Sequence, residues 1–351
     1  MREGGLGMNS FFKDKKILII GGTGTIGKSL LRTILKDDPA VVRIFSRDEH
    51  KQFELMQEIG NRHNLRFLIG DVRDSVRVER AMQGIDYVFH VAAMKHVPSC
   101  EYNPFEAVQT NIIGTQNVIQ ASLNAGVKKV VFTSTDKAIA PTNTYGASKL
   151  MAERLISSAQ FQTGPKDTIF AGVRFGNVMG SRGSVIPLFQ WQIMNNREIT
   201  VTDMAMSRFM MTLRQATELT IDAMKKAQGG EIFVLKMPII RLKDLAEVII
   251  DHCSNKLNIS ASSIKIKEIG LRPGEKMYEE LMTDDESLNA IELKEMFVIP
   301  NTFLDFIPQY ENAKPAGNQS YSSHSDEPIS KSELIQLLHE HRLLDLTGYD
   351  H

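Results

Sequence analysis

The stretch from Ser134 to Lys149, Ser-Thr-Asp-Lys-Ala-Ile-Ala-Pro-Thr-Asn-Thr-Tyr-Gly-Ala-Ser-Lys, gathers side chains that could run acid–base chemistry at an alcohol carbon. Thr135, Asp136 and Lys137 supply a hydroxyl, a carboxylate and an amine where a run of strand formers, Lys129 to Thr133, ends. Tyr145 follows eight residues after Lys137, and Lys149 four residues further on. If Tyr145 opens a helix, Lys149 lies one turn on and on the same face. An ammonium beside a phenol favours the phenolate, so a group with an ordinary pKa of about 10 can act as a base near neutrality. Such a base can take a hydroxyl proton while hydride leaves the same carbon. Asp136 and Lys137 add an acid and a base whose pKa values can be driven apart, as loss of water beside a ketone demands. The plainer reading of that pair is an ion pair in a solvated loop. Neighbouring strand residues point to opposite faces, so both reach one substrate only if the backbone turns at Thr135. Pro141 and Asn143 suit such a loop.

A hydride needs an acceptor, and the N-terminal sequence offers a place for one. Lys16-Ile-Leu-Ile-Ile20 reads as a strand, Gly21-Gly-Thr-Gly-Thr-Ile-Gly27 as a turn, and a helix follows over 25–36. Gly21, Gly24 and Gly27 permit a tight turn and a close approach of backbone to a pyrophosphate at a helix N-terminus. Thr23, Thr25 and Ile26 complete this expected cofactor turn. The second strand ends in Ser46-Arg47-Asp48, with Lys51 one turn later. Ser46, Arg47 and Lys51 suit a 2′-phosphate, so NADP is expected; Asp48 would suit the bare ribose of NAD, which stands as the alternative. Asp71 and Val72, just past the third strand, are placed to touch adenine; Asp71 as a plain turn residue is the alternative. Lys95 projects from the loop after the fourth strand toward substrate or nicotinamide, unless it is a surface lysine. His96 reads as a structural loop histidine. Cys100 has no evident partner base and is not expected to be a nucleophile.

These groups require a scaffold, and the hydrophobic pattern supplies one. Strands are expected at 16–20, 41–46, 65–69, 87–91, 129–133 and 168–173, and helices at 25–36, 48–60, 76–83, 104–125 and 145–162. The alternation predicts a Rossmann-type α/β fold, a doubly wound parallel sheet, with a smaller C-terminal α/β substrate lobe. In the 104–125 helix, Asn103 is the expected cap, Glu106 completes a capping box and Gly126 follows the end. Phe105, Val108, Ile112 and Ile119 recur at helical spacing, a stripe read as core packing. With the 145–162 helix it can also build a subunit interface. The expected organisation is a leader at 1–13, a cofactor domain at 14–173 with a return segment at about 205–235, and a substrate lobe at 174–204 and 236–300. A polar connector at 301–330 and a C-terminal helix and tail at 331–351 complete it, with Ser330 or Ser332 as the helix cap.

Bulk properties narrow the classes. The chain has 351 residues, 24% charged and 42% hydrophobic, with net charge −1. That balance points away from nucleic acid and anionic membranes. No apolar run approaches the roughly 20 residues needed to cross a bilayer. Two cysteines, Cys100 and Cys253, make no disulfide framework and fit a cytoplasmic setting. No metal site is expected.

The Gly21–Gly27 turn, the Tyr145/Lys149 pair and the alternating pattern together resemble the extended short-chain dehydrogenase/reductase superfamily. Several segments are similar to its nucleotide-sugar 4,6-dehydratases, above all those acting on UDP-N-acetylglucosamine, including a C5-inverting branch. These segments are Phe45-Ser-Arg-Asp-Glu49, Gly70-Asp-Val-Arg-Asp74, Ala92-Ala-Met-Lys-His-Val-Pro98, Glu101-Tyr-Asn-Pro104, Ser134-Thr-Asp-Lys-Ala138, Arg174-Phe-Gly-Asn-Val178, Gly180-Ser-Arg-Gly-Ser-Val-Ile-Pro187 and Arg272-Pro-Gly-Glu-Lys276. The likeness spans about residues 14–285. Dehydratases acting on dTDP-glucose carry Asp-Glu after the Thr; Asp136-Lys137 departs from that and resembles the UDP-N-acetylglucosamine group. The resemblance implies oxidation at C4 by Tyr145, Lys149 and Thr135, then loss of water across C5 and C6. Lys137 as a neutral amine, or Asp136, would take the C5 proton, and Asp136 is the best acid for the C6 hydroxyl. Hydride then returns to C6, with or without inversion at C5. Asn177, Ser181, Arg182, Ser184, Arg208 and Glu275, with Lys95, would hold the UDP-sugar, and a homo-oligomer is implied. The rivals are a UDP-sugar 4-epimerase, which needs no elimination apparatus, and a non-catalytic NADP-sensing regulator.

Overall fold

The computed structural model describes residues 10–164, 167–181 and 184–345. Its first half alternates strand and helix. The order is β1 (Lys16–Ile20), α1 (Thr25–Ile34), β2 (Val41–Ser46), α2 (Glu49–Ile59), β3 (Leu65–Ile69), α3 (Ser75–Met82) and β4 (Tyr87–His90). There follow α4 (Val97–Tyr102), α5 (Pro104–Ala107), a wide turn at Val108–Ile113, α6 (Gly114–Ala125), β5 (Lys129–Thr135), α7 (Thr144–Ser158) and β6 (Ile169–Phe175). Parallel strands run β3-β2-β1-β4-β5-β6, and Ile232–Leu235 adds a further parallel strand beside β6. Met296–Ile299 then pairs antiparallel with that strand, and Ile291–Glu292 and Lys314–Pro315 complete the edge. The chain reverses direction of winding between β1 and β4, the position where ligands bind in such sheets.

Strand alternation divides the core into two layers. Leu18, Ile20, Val88, Val130 and Phe132 face α3, α6 and α7. Ile17, Ile19, Phe89 and Val131 face the opposite way, toward α1 and the helix Leu213–Lys226. A third cluster fills the lobe, where Leu242–Leu257 packs on Val185–Asn196 and on the C-terminal helix Lys331–Glu340. Ser330 caps that last helix in a capping box with Glu333. Phe12, within the segment expected as a leader, is 2% exposed and joins the core, while Phe11 stacks on Tyr87; residues 1–9 lie outside the described residues.

The 104–125 segment departs from expectation. Its hydrogen bonding widens to the π type over Val108–Ile113. The extra residue in that turn breaks the helical stripe, because positions read at a period of 3.6 lose register across it. Phe105 is therefore 66% exposed, while Ala107, Asn111, Thr115 and Val118 face inward. Asn103 does not cap with its side chain; its Nδ2 donates to the Ser99 carbonyl, and Glu106 binds Arg73 instead of closing a capping box. Gly126 does end the helix, with φ +67°.

Candidate active site

The Gly-rich turn leaves β1 at the reversal point. Gly21 has φ +87°, and a Cβ there would stand 2.7 Å from the Ala92 nitrogen after β4. A Cβ on Gly27 would meet the Gly21 carbonyl at 2.5 Å, so a bare residue is what lets α1 pack on the turn. Gly24 differs: a Cβ there would touch only the Gly21 oxygen, at 3.4 Å. Protein packing alone does not demand glycine at 24, so the open space over the α1 N-terminus suits an approaching anion.

The catalytic stretch ends β5 as expected. After Thr135 the backbone turns through a single 3₁₀ turn, Asp136–Ala138, so successive side chains no longer alternate across a sheet. Asn143 Oδ1 accepts from the Gly146 N–H and starts α7, while its Nδ2 donates to the Gly274 carbonyl. Gly146 has no room for a side chain, because any Cβ would run into the Lys137 carbonyl. This close approach is what sets Tyr145 against the Thr135–Lys137 turn.

A cavity of about 480 Å³ is lined by Thr135, Asp136, Lys137, Tyr145 and Lys149, and from the lobe by Asn177, Ser181, Ser184, Arg208 and Glu275. A second, of about 730 Å³, is lined by Gly21, Thr23, Gly24, Gly27, Ser46, Arg47, Lys51 and Val72. Thr25, Ile26, Lys95 and His96 line both, so the two form one cleft across the reversal point. Arg182 lies outside the described residues. Asp71 does not line the cleft; it stands behind Arg47 at 3.6 Å and is held by Arg73 at 2.8 Å. Ser46 Oγ accepts from Gln52, and Lys51 pairs with Asp48 at 2.8 Å. Arg208 spends most of its donors on the carbonyls of Ser207, Lys276 and Met277.

Electrostatics correct the Tyr–Lys expectation. Burial pushes the Tyr145 phenol up to about 12, opposed by Lys137 and the Thr135 hydroxyl. Lys149 is 2% exposed, and burial pulls it down to about 7. Its Nζ donates to the Thr133 carbonyl at 2.6 Å and lies over the Phe132 ring. The cation that lowers the phenol most is Lys137. Burial would lower Lys137, but Asp136 and Glu279 outweigh it and hold its ammonium above the ordinary lysine value. A neutral Lys137 amine is therefore not the resting state.

Sequence reading missed two residues. Asn111 is turned inward by the π-type turn; it accepts from the Met94 N–H and donates to the Met94 carbonyl and to Ser148 Oγ, fixing the loop that carries Lys95. No periodicity signals such a turn. Glu279, 3% exposed, enters from the lobe beside Lys137 and Arg208. Two adjacent glutamates leading into Leu281-Met282 were the available signal.

The reversal-point cleft, the Gly-rich turn and the Tyr145–Lys149 helix define an enzyme fold of the extended short-chain dehydrogenase/reductase type. The chain belongs to the polysaccharide biosynthesis protein family, whose profile matches residues 17–301. The solved structure of Pen from Bacillus thuringiensis is 60% identical, covers 95% of this chain and 99% of that one, and superposes with a TM-score of 0.89. An uncharacterized membrane protein of Methanocaldococcus jannaschii is 50% identical over 83% of this chain and 87% of its own. A UDP-N-acetylglucosamine 4,6-dehydratase (inverting) of Campylobacter jejuni is 42% identical over 82% of this chain and 83% of its own. A UDP-glucose 4-epimerase of Rickettsia massiliae is 40% identical over 93% of this chain and 96% of its own. Among the described residues no helix is long and apolar enough to cross a membrane.

Proposed function

We propose that this protein is an NADP-dependent 4,6-dehydratase acting on UDP-N-acetylglucosamine. The observation that supports it is the turn at Asp136–Ala138, which puts Asp136 and Lys137 in the same cavity wall as Tyr145. A bound NADP would accept hydride from C4 and return it to C6. Tyr145 takes the C4 hydroxyl proton, with Thr135 beside it. The 4-ketone then acidifies the C5 hydrogen. Asp136 Oδ2 has no hydrogen-bond partner among the described residues and is the base for that proton. The C5–H electrons form the C5–C6 double bond as the C6–O bond breaks, and the Lys137 ammonium protonates the departing hydroxyl to water. These roles reverse the assignment expected from sequence, because Lys137 rests charged. Return of the proton to C5 from Asp136 retains configuration; delivery from Tyr145 inverts it.

The 4-epimerase reading keeps one point in its favour: the epimerase relative covers more of this chain than the dehydratase does. Incubation with UDP-N-acetylglucosamine in D₂O decides between them. A product lighter by one water and labelled at C5 supports dehydration; an isomer of unchanged mass overturns it. A protein that binds cofactor and consumes nothing would be the sensor. For the elimination step, Lys137→Met should still reduce nicotinamide when substrate is added, though more slowly than the parent because the Tyr145 phenol loses a neighbouring cation. It should lose dehydration by about 10²-fold or more, measured by mass spectrometry of the product.

Arg47 and Lys51 line the cofactor cavity with side chains about half exposed, and pair with half-buried Asp71 at 3.6 Å and Asp48 at 2.8 Å. Such surface pairs are weak and exchange readily for a phosphate. Arg47→Ala should therefore weaken NADP binding by about 10–100-fold, the worth of a charge-assisted contact. NAD binding should stay within about twofold, since no 2′-phosphate is lost; calorimetry with both dinucleotides checks this. Tyr102, Phe105 and Met151 remain exposed on the α4, α5 and α7 surface, which supports a homo-oligomeric contact there.

A further inference from the structure

Glu279 lies just before the short strand Glu280–Met282, and its carboxylate reaches the back of the catalytic turn. Its Oε1 is 3.9 Å from Lys137 Nζ and 3.9 Å from Arg208 Nε. Asp136 Oδ1 holds the same Lys137 Nζ at 3.0 Å from the other side. Glu279 does not line the cleft, so substrate has no direct access to it. We propose that Glu279 is a positioning residue that anchors Lys137 and Arg208 together from behind and keeps Lys137 charged as the proton donor for the leaving hydroxyl. This rests on the dehydratase reading given above.

Three observations carry it. Burying a carboxylate is costly unless a cation compensates, and Glu279 is 3% exposed with Oε2 lacking a hydrogen-bond partner among the described residues. Burial and Asp136 raise its carboxyl above the ordinary value, and the cations that oppose this are the site's own, Lys137, Arg208 and Lys276. Next, Glu279 is fixed by backbone at both ends of its residue. Its N–H donates to Ser323 Oγ at 3.0 Å, and its carbonyl accepts from the Ser323 N–H at 2.9 Å. Ser323 also accepts from Ser207 Oγ, next to Arg208. The strand Tyr321–Ser322 that presents Ser323 lies beyond the family's matched region, so this chain's C-terminal segment holds the buried carboxylate in place. Finally, the charged and titratable neighbours are all accounted for. Asp136, Lys137, Arg208 and Lys276 act on Glu279, and Asp136, Glu279 and Tyr145 act on Lys137. With two carboxylates facing one ammonium, removal of Glu279 leaves Asp136 alone to support the charge.

Glu279→Gln keeps the shape and removes the charge. The Lys137 ammonium should then lose its proton at lower pH, and the alkaline limb of the turnover profile should move down by about one unit or more. At a fixed pH on the parent's alkaline limb, turnover should fall by about 10-fold for each unit the limb moves, while substrate-dependent nicotinamide reduction persists. Glu279→Asp should recover most of the limb shift. A readout independent of turnover is the titration of Lys137 in ¹⁵N-lysine protein by NMR, assigned with Lys137→Arg, which should shift the same way. An unmoved Lys137 titration in folded Glu279→Gln overturns the proposal, as does a turnover loss with no limb shift. If the parent protein removes no water from UDP-N-acetylglucosamine, the dehydratase reading fails on its own, and the NMR titration still decides whether Glu279 sets the charge of Lys137.

Discussion

Tyr145→Phe should lower turnover of UDP-N-acetylglucosamine by about 10²–10⁴-fold, the range a positioned acid–base group contributes. It should abolish substrate-dependent reduction of nicotinamide, because proton removal from the C4 hydroxyl and hydride departure are one event. The phenylalanine ring fits the same contacts with Cys100 and Ala107, so the folded state should survive and thermal unfolding should move little. The pH dependence sharpens the prediction. Burial holds the phenol up at about 12 even with Lys137 and Thr135 opposing it, so the phenolate fraction at pH 8 is small. Lys137 is the cation on hand, and Lys149, held down to about 7, is mostly neutral at that pH. The parent's oxidation step should therefore accelerate as pH rises from 6 to 9, and Tyr145→Phe should lose that rise. Stopped-flow absorbance of reduced nicotinamide reads both. A variant within tenfold of the parent would remove Tyr145 from the reaction.

Much of this architecture was legible because a buried parallel sheet writes itself in short apolar runs. The first five expected strands start where the observed ones do, and the sixth starts one residue early; β5 and β6 extend two residues past their expected ends. Those extra residues include Ser134 and Thr135, and Phe175, which turn the apolar strands into the cleft wall. The Gly21–Gly27 turn was legible because steric demands at Gly21 and Gly27 leave few alternatives. The site's electrostatics were not. Spacing places Lys149 one helical turn from Tyr145, but it cannot reveal that the buried amine donates to the Thr133 carbonyl. It also cannot reveal a contact from 142 residues downstream, which is how Glu279 reaches Lys137. The 301–330 stretch reads as a polar connector, yet Tyr321 and Ser323 bind Met237, Ser207 and Glu279 through isolated polar contacts. Such bonds leave no periodic trace.

Arg174 opens one of the segments similar to the nucleotide-sugar dehydratases, and the structure gives it a role in holding the fold together. It is 1% exposed at the end of β6 and lines neither cavity. Its guanidinium grips Glu153 of α7 at 2.6 and 3.1 Å, Glu286 at 2.7 Å twice, and the Leu281 carbonyl at 2.9 Å. One cation thus ties the Tyr145 helix to the segment that follows Glu279. Arg174→Met should destabilise the fold by about 3–5 kcal/mol, because removing one partner leaves buried carboxylates uncompensated. Urea unfolding measures it. The pH dependence has a definite sign. Burial would raise Glu286, but the hydrogen bonds and charge of Arg174 hold it below the ordinary glutamate value. In the parent, that contribution to stability is present above the unfolded glutamate pKa and lost as pH falls through the folded one. Without Arg174 the sign inverts, since a buried lone carboxylate resists ionisation. The deficit of Arg174→Met should therefore be larger at pH 8 than at pH 5. Adding Glu153→Gln and Glu286→Gln should recover part of it, because no buried charge then remains unpaired. A triple variant no more stable than Arg174→Met would mean that the loss comes from packing of the long side chain rather than from its charge.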